Sequence, residues 1–270
     1  MDIKGKTALV TGAGSGIGRA SAIALAQRGA KAVALADLHQ LDIDETGRLV
    51  EQAGAQPIKG IVDVTDAEQQ SRFMEYVADS GDGIDIVHNN AGTICGEPIW
   101  PETRLEKITQ VVSVNLLGVL YGNRIAVELL AKNGGGVVIN TASTAALGPM
   151  PAEPVYAATK AAVVNLTHSC AGLAESHNVR VNAVLPGMVK TSFIELTGDG
   201  TSPAAWLQPV LAHAHLLTPE QIAEGVIQLI ENDSASGSCL VIENPAAQDE
   251  PPATTLLPDA ASYYQFLAAR

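Results

Sequence analysis

Short apolar segments alternate with longer amphipathic segments along most of this 270-residue chain. The apolar segments have the length and side-chain types of strands, and they lie at residues 7–12, 32–37, 57–64, 84–90, 135–143, 179–187 and 238–244. Helical periodicity is found between them, at about residues 17–28, 40–54, 66–80, 101–132, 154–175 and 218–231. Strands that alternate with helices form βαβ units, and uniformly apolar strands are buried on both faces. The chain is therefore predicted to fold as a parallel α/β sheet covered by helices on both sides.

No repeat, low-complexity run or linker divides the strand–helix alternation, so residues 1–244 are predicted to form one domain. Residues 191–217 lie outside this alternation, because they are apolar but are interrupted by Gly and Pro. The segment from 245 to 270 is rich in Pro and Ala but carries aromatic residues near its end. Two alternatives stay open for this tail: a disordered end, or a segment that packs on the domain.

Charge and cysteine content exclude several classes of function. The formal net charge is −13. Binding to nucleic acids or to anionic membranes needs clustered Lys and Arg, so both are disfavoured as partners. Cys95, Cys170 and Cys239 form no CxxC pair and His213 and His215 have no metal-ligand spacing, so no metal site is predicted. The N-terminal segment lacks a long apolar core, and no uninterrupted apolar run reaches the ~18 residues of a membrane span. We expect a soluble protein of the cytoplasm.

The segment TGAGSGIG (11–18) joins the first predicted strand to the first helix. Gly12, Gly16 and Gly18 allow a tight turn that brings the backbone close to a pyrophosphate at the start of that helix. An ordinary strand-to-helix turn would also contain glycine. The second strand, however, ends in Asp37, at the ~20-residue spacing of an acid that binds the adenosine ribose. A carboxylate there repels a 2′-phosphate, and neither Ser15 nor Leu38 supplies a positive charge, so NAD is predicted rather than NADP.

Two more strands end in polar segments. VDVT (62–65) places Asp63 where an adenine amino group would lie, and HNNAG (88–92) places Asn90 and the backbone of Ala91 and Gly92 at the next strand end. Ligands of open α/β sheets bind at the carboxyl ends of the strands. The strand ends are therefore predicted to converge on one elongated anionic ligand.

A third motif is the YAATK segment (156–160), in which Tyr156 and Lys160 share one helix face. A buried aromatic and a surface lysine would be ordinary alternatives. As a pair, the ammonium is expected to lower the phenol pKa toward the range useful for acid–base catalysis. Ser143 ends the fifth strand, where its hydroxyl can support charge on a substrate oxygen. Asn115 is a polar residue within an apolar helix, where it is expected to interrupt the helix or to orient a proton path to Lys160.

These motifs, together with PGMVKT (186–191), resemble the ordered motifs of the short-chain dehydrogenase/reductase family, in its TGxxxGxG branch, over roughly residues 5–244. The resemblance implies a three-layer Rossmann-type fold with a seven-stranded parallel sheet. It implies that Tyr156 is the general acid/base, that Lys160 lowers its pKa and binds the nicotinamide ribose, and that Ser143 positions the substrate. Asn115 would support a water relay, Val189 would contact the carboxamide through its backbone, and Thr191 would hydrogen-bond the cofactor. The residues predicted to bind NAD are Gly12, Ser15, Gly16, Ile17, Gly18, Asp37, Leu38, Asp63, Val64, Asn90, Ala91, Gly92, Tyr156, Lys160, Pro186, Gly187, Val189 and Thr191.

The substrate is predicted to be apolar and bulky. Residues 191–217 occupy the place of the family's mobile substrate loop, and Phe193, Ile194, Leu196, Trp206, Leu207, Val210 and Leu211 would form an apolar lid over the site. These side chains would alternatively pack against the core alone. The predicted substrate contacts are Ser143, Leu147, Met150, Phe193 and Trp206.

The C-terminal part departs from the family pattern. CLVIENPAAQDEPP replaces the short VDGG-like segment that helps to build tetramers in many relatives, and the layout is more similar to members like 15-hydroxyprostaglandin dehydrogenase. A homodimer built on the helices near 105–132 and 154–175 is therefore predicted rather than a tetramer.

The predicted function is interconversion of an apolar secondary alcohol and its ketone by hydride transfer with NAD. Two alternatives stay open: a ketoreductase of a biosynthetic pathway, and a non-catalytic NAD-binding sensor or scaffold.

Overall fold

The computed structural model of the protein describes residues 1–80, 83–198, 201–247 and 250–270. Within these residues, one sheet of eight strands has the order β3-β2-β1-β4-β5-β6-β7-β8. The strands are β1 (Thr7–Thr11), β2 (Ala32–Asp37), β3 (Gln56–Ile61), β4 (Ile86–Asn89), β5 (Gly136–Thr141), β6 (Val179–Pro186), β7 (Cys239–Glu243) and β8 (Ala253–Leu257). Strands β1 to β7 run parallel, and β8 pairs antiparallel with β7.

Helices cover both faces of this sheet. They are α1 (Gly16–Gln27), α2 (Gln40–Gln52), α3 (Ala67–Ser80), α4 (Leu105–Val112), α5 (Gly118–Lys132), α6 (Pro154–Ser169), α7 (Leu173–His177), α8 (Ser192–Glu195), α9 (Gln208–Leu211), α10 (Pro219–Glu231) and α11 (Ala260–Ala268). A π-helical turn (Ser113–Leu117) joins α4 to α5, and a 3-10 turn (Thr144–Leu147) precedes α6. The predicted three-layer α/β architecture is confirmed.

The uniformly apolar strands serve two cores, one on each face of the sheet. In β1, Ala8 and Val10 belong to the core beneath α1 and α10, whereas Leu9 belongs to the core beneath α3 and α5. In β2, Val33 and Ala34 divide between the two cores in the same way. Side chains of a strand alternate between its faces, so a strand covered on both faces is apolar at every position.

Local sequence signals explain where α10 begins and which face it buries. Thr218 Oγ1 accepts a hydrogen bond from Gln221 N, and Gln221 Oε1 accepts one from Thr218 N, which closes a capping box at the helix start. Ile222, Val226 and Ile230 follow at helical spacing and are buried. They pack in the same core as α1, so α10 holds α1, and with it the glycine loop, against the sheet.

The strand order places the functional edge of the sheet. The chain passes outward from β1 through β2 to β3, and then returns to place β4 along the other side of β1. The connections after β1 and β4 therefore leave the sheet in opposite directions and open a crevice at the carboxyl ends of these strands. Ligands of open α/β sheets bind at such a switch point.

The structure corrects several predicted bounds. The expected seven-stranded, all-parallel sheet gains the antiparallel strand β8, because the segment after β7 turns back along the open sheet edge. The predicted helix at 101–132 begins at Leu105 and is interrupted by the π-helical turn. The helix predicted from 154 to 175 ends at Ser169, and β3 ends at Ile61, before Asp63.

The tail contributes to the sheet and to a core. Leu257 of β8 and Tyr263 of α11 are buried in a third apolar cluster, which also contains Val163 of α6. The Tyr263 hydroxyl donates a hydrogen bond to the carbonyl of Ala146 at 3.1 Å. Of the two alternatives for the tail, the packed one agrees with the structure. Residues 248–249 of the tail and 199–200 of the predicted lid lie outside the described residues.

One helical stretch of the described residues, Leu105–Lys132, is long and apolar enough by length and composition to cross a membrane. In the fold it packs on the sheet and on α3 and α6, and its buried residues include Asn115 and Asn123. The Asn123 side chain is hydrogen-bonded within the protein, to Val119 and Asn140. These contacts are those of a core helix.

Candidate active site

A cavity of about 810 Å³ opens at the carboxyl edge of the sheet, between the glycine loop and the 3-10 turn. The predicted site residues that line it are Gly12, Ser15, Gly16, Ile17, Asp37, Leu38, Asp63, Val64, Asn90, Ala91, Gly92, Ser143, Leu147, Met150, Tyr156, Lys160, Pro186, Gly187, Val189, Thr191, Phe193 and Trp206. Gly18 and Asn115 do not line the cavity, and their contacts place them directly behind its wall. The structure thus brings the predicted residues to one place.

The glycine loop is packed so closely that side chains would not fit. Gly12 and Gly16 have φ of +63° and +49°, a region that glycine adopts without strain. A Cβ on Gly12 would lie 2.9 Å from Ala91 Cα, and one on Gly18 would collide with the Gly12 carbonyl. The loop thereby brings its backbone N–H groups and the start of α1 to the cavity, which is the geometry that binds a pyrophosphate.

Asp37 is held in place by backbone donors. Its Oδ2 accepts a hydrogen bond from Gly14 N at 2.9 Å, and its Oδ1 accepts one from Leu38 N at 2.7 Å. The carboxylate therefore joins the end of β2 to the glycine loop as well as lining the cavity. Arg19, which sequence reasoning missed, donates to the Gly14 carbonyl and to Thr46 Oγ1, but it does not line the cavity.

Side chains that follow β3 and β4 hold the ends of these strands in place by hydrogen bonds. Asp63 Oδ1 accepts hydrogen bonds from the backbone and the hydroxyl of Thr65, at 2.9 and 2.8 Å. Asn90 Nδ2 donates to the carbonyl of Thr11 at 3.1 Å, while Thr11 Oγ1 accepts from Asn90 N at 3.0 Å. Asn90 therefore binds the end of β4 to the end of β1, across the switch point.

A buried chain of polar groups behind this wall was not predicted. His88 is fully buried, and its Nε2 lies 2.8 Å from Thr141 Oγ1, which donates to Asn90 Oδ1 at 3.3 Å. His88 Nδ1 is buried and has no hydrogen-bond partner in the described structure. Burial lowers the pKa of His88 to about 3, so its ring is neutral at working pH. In the sequence, His88 is only one residue of an apolar strand. Its contact with Thr141 could not be predicted, because Thr141 belongs to the neighbouring strand β5.

Tyr156, Lys160 and Ser143 meet at the other end of the cavity. Lys160 is almost fully buried, and its Nζ donates to the Thr141 carbonyl at 2.8 Å and lies 5.6 Å from the centroid of the Tyr156 ring. The Ser143 hydroxyl lowers the Tyr156 pKa, and Ser143 Oγ donates to the Pro186 carbonyl at 3.4 Å. Ser143 Oγ also accepts from Ala145 N at 3.1 Å, and this bond caps the 3-10 turn.

Burial dominates the titration of this pair. It raises the pKa of Tyr156 to about 12, against the smaller lowering effect of Ser143, and the charge of Glu153 adds to the rise. Burial also lowers the pKa of Lys160 to about 8. The expected fall of the Tyr156 pKa does not occur in this structure, because desolvation of the phenolate dominates and raises that pKa. Tyr156 is therefore protonated at neutral pH.

Asn115 lies on the π-helical turn and binds the strand-end segment that lines the cavity. Its Oδ1 accepts from Thr93 N and its Nδ2 donates to the Thr93 carbonyl, each at 2.8 Å. A Cβ on Gly92 would lie 3.5 Å from Asn115 Oδ1 and 3.6 Å from Lys160 Nζ, so both groups converge behind Gly92. The expected helix interruption is confirmed, in the form of a π turn.

Glu153 is a second group that sequence reasoning missed. It is buried, and its two carboxylate oxygens accept hydrogen bonds from Gly96 N at 2.7 Å and Cys95 N at 3.2 Å. Burial raises the pKa of Glu153, and burial together with Glu153 raises the pKa of Cys95 to about 11. Glu153 directly precedes α6, so it attaches the segment around residue 95 to the start of the helix that carries Tyr156.

Apolar side chains form the wall near Tyr156. The Phe193 ring centroid lies 5.9 Å from that of Tyr156. Of the seven apolar side chains predicted for the lid, Phe193, Ile194, Trp206, Leu207 and Val210 line the cavity, whereas Leu196 and Leu211 do not. Ala205 N in the lid donates to Glu97 Oε1 at 2.7 Å, which connects the lid to the segment held by Glu153. The Trp206 indole nitrogen is buried without a hydrogen-bond partner in the described structure.

Comparisons with known proteins agree with this geometry. The model of the short chain dehydrogenase family matches residues 6–200. Human 15-hydroxyprostaglandin dehydrogenase, whose name specifies NAD(+), is 36% identical over 255 residues, covering 90% of this chain and 92% of that protein. A short-chain type dehydrogenase/reductase from Mycobacterium marinum superposes with a TM-score of 0.81 at 28% identity, covering 93% of this chain and 98% of the other. An NAD-bound short chain dehydrogenase from Mycobacterium paratuberculosis superposes with a TM-score of 0.79 at 26% identity, covering 89% and 97%.

Proposed function

The chain belongs to the short-chain dehydrogenase family, and from this premise we propose that it is an NAD-dependent oxidoreductase that interconverts a bulky, apolar secondary alcohol and its ketone. The observation that carries the proposal is the placement of Tyr156, Lys160 and Ser143 at one end of a cavity whose other end is the glycine loop. Two reactants bound in adjacent parts of one cavity are held close together, which favours reaction between them.

The cofactor end of the cavity fits NAD. Gly12 and Gly16 let the glycine loop pack closely on Ala91 and Thr191, since added Cβ atoms would lie 2.9 Å from Ala91 Cα and Thr191 Cγ2. The backbone N–H groups of this loop and the start of α1 would bind the pyrophosphate. Asp37 presents a carboxylate that is already oriented by backbone donors, so it would accept hydrogen bonds from the adenosine ribose hydroxyls. The same negative charge repels a 2′-phosphate, and this supports NAD over NADP.

Tyr156 is assigned the transfer of the substrate proton, with Ser143, Lys160 and Asn115 in supporting roles. NAD, when bound, supplies the acceptor for the hydride that leaves the carbon bearing the hydroxyl group. Tyr156 takes the hydroxyl proton in oxidation and returns it in reduction, and Ser143 hydrogen-bonds the same substrate oxygen. Lys160 is held beside the ring by the Thr141 carbonyl, where its charge stabilises the phenolate that forms and its ammonium would reach the nicotinamide ribose. Asn115 fixes Thr93, which directly follows Gly92 near Lys160, and is proposed to support the water relay.

The apolar wall supports the substrate class. Leu147, Met150, Phe193 and Trp206 line the cavity beside Tyr156 and offer contact to a hydrocarbon body rather than to a polar one. Contact with a large substrate at this wall removes apolar surface from water on both sides. Binding is therefore expected to strengthen with substrate bulk.

Reduction of a ketone is the second candidate, and one observation favours it. The raised pKa of Tyr156 keeps the phenol protonated at neutral pH, which is the form that donates a proton to a ketone oxygen. Oxidation needs the phenolate, so its rate is expected to increase as pH rises above neutrality.

The assay that tests the function follows NADH at fixed enzyme concentration. NAD is supplied with secondary alcohols graded in bulk and polarity, and NADH is supplied in parallel with the matching ketones. Turnover that rises with apolar bulk supports the proposed function, and its direction decides between dehydrogenase and reductase. NAD binding without turnover in either direction contradicts the proposed function and favours the sensor.

We also propose that the protein is a cytoplasmic homodimer, with a tetramer as the alternative. An apolar groove of about 370 Å³ runs between α4 and α6, lined by Trp100, Val112, Leu116, Pro154, Val155, Ala158 and Thr159. Leu105 is 74% exposed and lies on the same face of α4 as Val112, two turns away. Association through this face would remove the exposed apolar surface from water.

A further inference from the structure

The segment after β7 delivers a positive charge to the substrate end of the cavity. Arg270 follows α11 and lines the cavity. Phe266 and Leu267 of α11 pack in the same apolar cluster as Ala146 and Leu147 of the 3-10 turn. This turn starts beside Ser143, so Arg270 belongs to the substrate end and not to the glycine-loop end.

The guanidinium of Arg270 is oriented by two contacts. Its Nη2 lies 2.8 Å from Glu243 Oε1, at the end of β7, and its Cζ lies 5.1 Å from the centroid of the Phe266 ring. A guanidinium carries five N–H donors in a planar fork. The ion pair with Glu243 occupies Nη2 of the guanidinium, and the guanidinium carbon lies over the Phe266 ring. The remaining donors are available at the cavity wall, and the side chain is 43% exposed.

The other charged side chains that line the cavity lie away from Arg270 or are hydrogen-bonded to other groups. Among the described residues that line it, Lys160 and Arg270 are the lysine and arginine side chains, and Lys160 is bound to Thr141 beside Tyr156. Asp37 and Asp63 lie at the adenine end. Apart from its ion pair with Glu243, Arg270 adjoins the apolar cluster of Phe266, Leu267 and Leu147, so an anionic group in a bound molecule would find its complement at Arg270.

We propose that Arg270 recognises a carboxylate on the substrate, so that the natural substrate is an apolar hydroxy acid or its keto acid. This inference deepens the proposed function and rests on it for the identity of the reacting end. A planar carboxylate matches two N–H groups of a guanidinium, which gives both energy and orientation. The Glu243 carboxylate beside the guanidinium limits the gain, because it already offsets part of the positive charge.

Binding of simple fatty carboxylates tests the inference without turnover. Titration calorimetry of the full chain with saturating NADH compares straight-chain carboxylates from octanoate to tetradecanoate with the 1-alcohols of the same length. We expect the best carboxylate to bind about tenfold more tightly than its alcohol, as for a charge-assisted pair. Arg270→Gln should remove this difference and leave the Kd of the alcohol unchanged.

Two further variants separate charge from packing. Arg270→Lys keeps the charge but not the fork, and should retain part of the preference for carboxylate. Glu243→Gln removes the ion pair but keeps the guanidinium, and should retain or strengthen carboxylate binding. Equal binding of carboxylate and alcohol by the wild type, or equal weakening of both by Arg270→Gln, would overturn the inference. Failure of the proposed function would instead leave Arg270-dependent carboxylate binding intact while no alcohol or ketone is turned over.

Discussion

The Asp37 carboxylate lines the cavity and also accepts hydrogen bonds from Gly14 N and Leu38 N. The backbone donors fix the carboxylate before any ligand binds, so no side-chain entropy is lost when it accepts a ribose hydroxyl. Selection of the cofactor is therefore a property of one preorganised side chain.

Replacing Asp37 should relax the preference for NAD. Asp37→Asn keeps the shape and one acceptor but removes the charge that repels a 2′-phosphate, so the ratio of the NADPH and NADH Kd values should fall about tenfold, or about 1.4 kcal/mol. Fluorescence titration with both reduced cofactors measures this ratio. Asp42→Asn is the matched control, since Asp42 lies near Gly14 but does not line the cavity. An unchanged ratio in Asp37→Asn would remove Asp37 from this role.

His88 should make the fold sensitive to acid. Its folded pKa is lowered to about 3, from the ordinary 6.5 of the unfolded chain, so between these values the unfolded state binds a proton that the folded state does not. The free energy of unfolding should therefore fall as pH decreases below 6.5, by about 1.4 kcal/mol per pH unit from this group. The contribution is complete above pH 6.5.

Urea denaturation at pH 7.5 and pH 5 measures this dependence. His88→Asn should be less stable at both values, but the loss of stability on acidification should be smaller than in the wild type by about 2 kcal/mol. His177→Asn, at an exposed position, should keep the wild-type dependence. If His88→Asn and the wild type lose the same stability between pH 7.5 and pH 5, the buried neutral histidine is not the cause.

At the scale of elements, α11 supports the 3-10 turn that carries the substrate wall. The buried Tyr263 hydroxyl donates to the Ala146 carbonyl, and the ring packs at 5.3 Å from that of His168. The tail is therefore more than an added edge strand. It fixes the turn that begins at Ser143.

Tyr263→Phe should reveal this support. Loss of this part-buried hydrogen bond should lower the free energy of unfolding by about 1 kcal/mol and raise the KM of the alcohol substrate, with NADH affinity unchanged. The neighbouring change Tyr264→Phe is the control, because Tyr264 is 58% exposed. Denaturation curves and steady-state kinetics of both variants provide the comparison. Equal behaviour of the two variants would show that the turn does not depend on α11.

Much of the candidate site could be predicted from sequence because its parts are local. The glycine loop, Asn90 and Ser143 follow strands and Asp37 ends one, and the carboxyl ends of parallel strands lie at one edge of the sheet. This reasoning could not find Arg270, Glu153 and His88, because each contacts a part of the fold that is distant in sequence. The strand β8 was missed for the same reason, since its pairing depends on the free edge of β7 and not on its own short sequence.

The direction of the Tyr156 pKa shows a second limit. The spacing of Tyr156 and Lys160 correctly places both on one helix face, but it contains nothing about how deeply the pair is buried. Desolvation depends on the whole molecule, including Phe193 and Glu153, and it decides the sign of the shift. Titration behaviour therefore needs the packed structure.

At the scale of the whole molecule, the unpartnered α4–α6 face predicts self-association. Leu105→Glu places a charge on that face at the first residue of α4, where an acidic side chain is compatible with the helix. It should weaken dimerisation about tenfold or more, because the charge must be desolvated at the interface. Light scattering at micromolar concentration should give twice the chain mass of 27.9 kDa for the wild type.

Leu41→Glu is the matched control for association. Leu41 is 84% exposed at the start of α2, so it receives the same charge in a similar helix position, away from the apolar groove. This variant should remain dimeric. A tetrameric or monomeric wild type, or a Leu105→Glu variant that associates like the wild type, would contradict the proposed interface.

In the proposed reaction, Tyr156 transfers the substrate proton while NAD is bound in the same cavity. The most direct measurement compares Tyr156→Phe with the wild type, with NADH affinity determined by titration and turnover determined with the best alcohol and ketone of the panel. Phenylalanine keeps the ring beside Phe193 but cannot exchange a proton. We expect NADH affinity within about twofold of the wild type and a loss of about 100-fold or more in turnover in both directions. Turnover equal to that of the wild type would show that Tyr156 does not transfer the proton.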